Sequence, residues 1–155
     1  MATPGDLKFL YDVEKSKVFH VQRALRMGHA NPNKNYLNVF PLNLAIEQGD
    51  VDMVAVLLKF GADPLLKSNP RNDRKITNGV ELATAMAQNP DAKYRVEAAI
   101  ILELMNDPRK LDERFDAAQE RVELEQQREN ALIKRIFGVG ALLMLPALFY
   151  WFVFR

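Results

Sequence analysis

"NVFPLNLAIEQGDVDMVAVLLKFGADP", Asn38 to Pro64, decides how the rest of the chain is read. Pro41 suits the first turn of a helix, where a missing N–H costs nothing. Leu42, Ala45 and Ile46 then fall on one helical face. Gly49 can take the positive φ that ends a helix cheaply. Val54, Leu57 and Leu58 form the same kind of stripe on a second helix, and Gly61 repeats the stop. The stretch therefore predicts two short helices back to back, each closed by a glycine.

The pattern recurs upstream. "HVQRALRMGHANPN" (20–33) matches "DMVAVLLKFGADPL" (52–65): Val21 with Val54, Ala24 with Leu57, Leu25 with Leu58 and Gly28 with Gly61. All four pairs share one offset of 33 residues. Further upstream, Leu10 and Val13 pair with Leu42 and Ala45 at an offset of 32. A third, less regular copy follows. "NGVELATAMAQNP" (78–90) would be its first helix, with Val80, Leu82 and Ala83 for Leu42, Leu44 and Ala45. "YRVEAAIILELM" (94–105) would be its second, with Ile101 and Leu102 for Leu57 and Leu58. One copy cannot bury its own apolar face, and about three stacked copies are the minimum for stability. Irregular outer copies suit the capping role that repeat arrays need.

The middle copy resembles an ankyrin repeat. Phe40-Pro41-Leu42-Asn43-Leu44-Ala45 stands where that family has Thr-Pro-Leu-His-x-Ala, Gly49-Asp50 resembles the turn between its helices, and Gly61-Ala62-Asp63 the turn that follows. Asn43 replaces the usual His and Phe40 the usual Thr. The resemblance covers about residues 5–107 and implies a protein-binding module that works through hairpin fingers and the concave face beside them. The fingers map to residues 31–38 and 64–76. Asn35 and Tyr36 in the first are candidate partner-binding residues, as are Lys67, Arg71, Arg74 and Lys75 in the second. The basic second finger would meet an acidic partner or anionic lipid headgroups.

Residues 108–135 have a different texture. Ala, Leu, Glu, Gln and Arg dominate, all good helix formers. Pro108 can start the helix, with Asp107 as N-cap. Leu111, Phe115, Ala118 and Val122 make a narrow apolar seam, which Glu125 and Glu129 interrupt. The segment reads as a charged helical stalk of about 40 Å with one strip against its own domain or a partner.

From Ile136 to Phe154 no residue is charged. At about 1.5 Å per residue this stretch matches the roughly 30 Å of a bilayer core. The sequence alone therefore predicts a transmembrane helix over 136–155. Lys134 and Arg135 would mark one interface, and Tyr150, Trp151 and Arg155 the other. Gly138, Ala141 and Pro146 would pack against neighbouring membrane helices. The expected localisation is single-pass, with the bulk on the cytosolic or matrix side, in a mitochondrial membrane.

Composition narrows the chemistry. The 155 residues carry 21 Lys+Arg against 20 Asp+Glu, so no basic excess points to nucleic acid. There is no cysteine, which removes disulfides and thiolate metal sites. The two histidines, His20 and His29, belong to no metalloprotease, hydrolase or nucleotide-binding motif. Neither a cofactor nor catalysis is expected. The N-terminus lacks the apolar core of a signal peptide, and its acids argue against a transit peptide.

The whole reads as an all-α protein: an ankyrin-type stack over 1–107, a stalk over 108–135 and a membrane helix over 136–155. The expected function is an accessory, non-enzymatic interaction subunit of a mitochondrial membrane complex, of the respiratory chain or ATP synthase. Its partners would be the bilayer and other subunits. The alternative is a free-standing tail-anchored adaptor that recruits soluble proteins to an organelle surface.

Overall fold

The structure, a computed structural model, describes residues 3–36, 38–67 and 77–153, with side chains as far as Arg135. Every helix or strand among them is a helix, so the chain is all-α. The order is α1 (Pro4–Glu14), α2 (Val18–Arg26), α3 (Pro41–Glu47), α4 (Val51–Lys59), α5 (Gly79–Gln88), α6 (Arg95–Asn106) and α7 (Pro108–Val153).

The first six helices form three pairs, α1 with α2, α3 with α4 and α5 with α6. α1, α3 and α5 lie side by side in one row, and α2 and α4, with α6 beside α4, make the second row. α4 is the centre. Met53, Val54, Ala55, Val56 and Leu57 are all fully buried, because α2, α3, α6 and α7 surround them. A helix packed on all sides is apolar all round, as α4 is from Met53 to Leu58, with Asp52 and Lys59 at its two ends.

The repeat is visible in the hydrogen bonds. After α3, Gly49 N donates to Ile46 O (2.9 Å) and Asp50 N to Ala45 O (3.0 Å). After α1, Ser16 N donates to Val13 O (3.0 Å) and Lys17 N to Asp12 O (2.9 Å). After α4, Gly61 N reaches Leu58 O and Ala62 N reaches Leu57 O; after α2, Gly28 N reaches Leu25 O and His29 N reaches Ala24 O. All four are Schellman closures, each with a left-handed residue at the stop.

These bonds correct the register of the first helices. Val13 is equivalent to Ile46, not Ala45, and the offset is 33 throughout the first two copies. The apolar letters misalign because Asp12 is buried in Ala45's place and Asn43 in Leu10's. Ser16, at φ 56°, takes the left-handed position that Gly49 takes at 64°.

Gly49 is also closely covered. A Cβ there would lie 2.6 Å from Cγ of Tyr94, at the start of α6, whereas one at Gly28 would meet nothing within 4 Å. Gly49→Ala is expected to cost about 2–4 kcal/mol, from the left-handed penalty plus overpacking. Gly28→Ala is expected to cost only about 1–2 kcal/mol, the backbone part alone. Urea unfolding of both variants checks the difference; equal losses would remove the Tyr94 contact from the account.

α7 is not a detached stalk. Ala118 and Val122 are buried, with Leu111 and Phe115 packed behind them, and the helix lies along α2, α4 and α6. The expected strip therefore rests on the chain's own second row. Asp107 Oδ1 caps α7, accepting from Arg109 N at 3.0 Å.

The expected membrane span is corrected. Among the described residues no helix is long and apolar enough to cross a membrane. This overturns the single-pass localisation with its bulk on the cytosolic or matrix side. Over residues 108–135 α7 carries charges throughout and is engaged with the helical domain through Arg114, Arg121 and Glu125. Lys134 and Arg135 are exposed there. At Gly138, Ala141, Pro146, Tyr150 and Trp151 only the helical backbone is described, and Arg155 lies outside the described residues.

Candidate interaction surface

The first hairpin is built inward as well as outward. Tyr36 is 2% exposed, with its ring centroid 5.6 Å from that of Phe9. Its hydroxyl donates to Asn31 O (3.1 Å) and accepts from Asn31 N (3.2 Å). Burial pushes its phenol pKa up, against the opposing bond to Asn31. Tyr36 is thus a core residue and not the partner-contacting residue expected from its loop position. Asn35 beside it is exposed.

Asn33 ties this hairpin to the next repeat. Its Nδ2 donates to Gly61 O (2.8 Å), and its Oδ1 accepts from Asp63 N (2.7 Å). Lys34 reaches back to Asp6 of α1 at 2.7 Å. Lys34 and the Thr3 N–H together hold the Asp6 carboxyl down at about 2, below its usual 3.8. A depressed carboxylate contributes stability that is present above the unfolded pKa and fades as pH falls towards 2.

In the second hairpin, Lys67 is exposed, while Arg71, Arg74 and Lys75 lie outside the described residues.

One line of residues runs across the first row. Tyr11 and Leu44 are equivalent by the 33-residue register, and Leu82 follows when α3 and α5 are aligned at their first residues, Pro41 and Gly79. Tyr11 is 49% exposed, and Leu44 and Leu82 are half-buried. Lys15 and Lys17 stand 5.8 and 5.2 Å from the Tyr11 ring centroid. The line is an apolar stripe with a cationic edge, on the row that α7 does not cover.

The opposite row is closed by polar contacts that periodicity did not reveal. Arg121 Nη2 donates to Ser16 O (2.7 Å) and Ser16 Oγ (2.6 Å). Its Nη1 meets Asp52 (3.2 Å) and Asp50 (3.4 Å), and its Nε meets Glu125 (3.2 Å). Burial alone would lower the Arg121 pKa, but Asp50, Asp52 and Glu125 outweigh it and hold the pKa above its ordinary value. Asp50 also caps α4, accepting from Met53 N at 3.1 Å, and accepts from Ser16 Oγ. One guanidinium therefore joins the α1–α2 turn, the α3–α4 turn and α7.

Glu125 solves a second problem. α2 has no side-chain cap of its own at Lys17. Glu125 Oε2 accepts from Phe19 N at 2.9 Å, so a carboxylate from α7 caps α2 and complements its dipole. His20 Nε2 bonds Glu129 one turn on. The acids that interrupt the apolar seam are those that bind the first turn of α2. Their only sequence signal was the i,i+4 spacing of Arg121 and Glu125.

No group of His, Asp or Glu among the described residues could hold a metal ion. Compared with known protein families, curated proteins and solved structures, the chain matches none.

Proposed function

We propose that this chain is a non-enzymatic protein-binding module of ankyrin type, an accessory component that holds a protein partner against its first helical row. The observation that carries this reading is the division of labour between the rows. α7 is packed along α2, α4 and α6, whereas α1, α3 and α5 present the stripe of Tyr11, Leu44 and Leu82 beside the first hairpin. The 33-residue repetition of the Schellman turns supports the ankyrin resemblance, because that family also stacks helix pairs closed by glycine turns. A half-exposed aromatic with two lysines at its edge has the makings of an interface anchor, since aromatic residues dominate interface energetics.

Site-specific photo-crosslinking tests this reading. A benzoylphenylalanine in place of Tyr11 should give one discrete adduct with another protein in native extracts. The adduct should be competed by excess unmodified chain. The same probe in place of Arg109, whose side chain is 92% exposed on α7, should give none. Equal adducts from both positions, or none from the Tyr11 position, would contradict the proposed face.

A further inference from the structure

A groove crosses α2 on the outer side of the first repeat, away from the Tyr11 stripe. One end is a concavity of 330 Å³ whose lining includes Phe9, Ala24, Met27, Arg23 and His29. The other end, of 270 Å³, is lined by Phe19, Val122, Arg26 and again Arg23 and Met27. Met27 is 54% exposed on the shared floor. Arg23, Arg26 and His29 make no side-chain hydrogen bond or ion pair among the described residues. Asp12 lines the groove too, but it is buried and already paired to Lys8 at 2.5 Å. His20 is taken by Glu129. The groove is therefore apolar at its floor and cationic at its rim.

The complement lies on the same molecule, where it cannot reach the groove. Glu113, Asp116, Glu120 and Glu123 are spaced i, i+3, i+7 and i+10 along α7, and all four are exposed. That spacing makes one straight ridge. It faces away from the domain, since Ala118 and Val122 on the opposite face are buried. No ion pair within the chain neutralises these acids among the described residues. Leu124, 54% exposed, borders the ridge.

We propose that the α2 groove receives the α7 acidic ridge of a second copy of this chain, and that two such contacts build a symmetric dimer. A twofold contact requires each copy to offer both surfaces, which this chain does. Charge complementarity sets the pairing, and Leu124 and Met27 supply exposed apolar area beside it. Phosphate ligands are the weaker fit, because the floor is apolar and the free cations are few. The inference does not rest on the proposed role of the first row.

Sedimentation velocity of the full-length chain tests it by charge exchange. The wild-type chain is expected to dimerise, more tightly in low salt than in high. R23E/R26E makes groove and ridge both acidic, and E120R/E123R makes the C-terminal half of the ridge basic like the groove, with Glu113 and Asp116 unchanged. Each variant alone should associate at least about tenfold more weakly than wild type. Mixing the two in equal amounts should restore the dimer, because both contacts then join opposite charges. Misfolding cannot produce that restoration. A wild-type chain that stays monomeric up to about 1 mM, the weak end of specific association, would overturn the proposal. So would a mixture no more associated than its parts, including one in which the wild-type groove instead captures vesicles of anionic lipid.

Discussion

Replacing Ala118 with aspartate is expected to lower the unfolding free energy by about 3–5 kcal/mol, the cost of an uncompensated buried charge. Ala118 has no exposed surface and sits between Phe115 and Val122, where α7 meets the second row. The cations one turn away on α7 already hold carboxylates, although the buried Nε of Arg114 has no hydrogen-bond partner among the described residues. Arg114 is engaged with Asp52 at 2.7 Å, and Arg121 with Asp50, Asp52, Ser16 and Glu125. A domain of this size has only about 5–15 kcal/mol to lose. Were α7 a solvated rod, the same change would fall within about 0.5 kcal/mol of zero. Urea unfolding followed by circular dichroism separates the two, with the slope checked so that a shifted midpoint reports stability.

Leu57→Ala is expected to cost about 3–4 kcal/mol, within the range for emptying a fully buried leucine site. Leu57 lies in the middle of α4, enclosed on every side, so little of its neighbourhood can collapse into the space. Leu58→Ala should cost about half as much, because Leu58 is half-buried and part of its side chain is already in contact with water. The same denaturation series checks both variants. Equal losses would mean that α4 is not the enclosed centre described above.

The contrast between Leu57 and Leu58 shows what could be read without coordinates. The sequence places both on one helical stripe, and periodicity cannot rank them. Pro41, Gly49 and Gly61 marked the helix ends well, because a helix start and a left-handed stop each restrict the residue type strongly. The equivalent stop at Ser16 was hidden. Its left-handed backbone has support that only tertiary structure supplies, from Arg121 and Asp50. Asp12 and Asn43 shifted the register by one because each is a buried polar residue standing where an apolar one was sought.

The same cause explains α7. Its helix was evident from composition, but Glu125 and Glu129 looked like the end of a packing seam. They are instead acceptors for Phe19 N and His20, roughly a hundred residues away in the chain. Tyr36 failed in the opposite direction. A tyrosine in a hairpin reads as an exposed contact residue, and only its pairing with Phe9 shows that it belongs to the core. The expectation of a membrane span came from hydropathy over 136–155 alone. The described helices offer no such span.

Native-state hydrogen exchange resolved by residue tests the central claim, that α7 is an integral wall of the second row. Amides from Leu111 to Val122 should exchange with the same opening free energy as those from Met53 to Leu57, because the two helices open as one cooperative unit. Protection in α7 no better than that of an isolated helix, with α4 still fully protected, would contradict it.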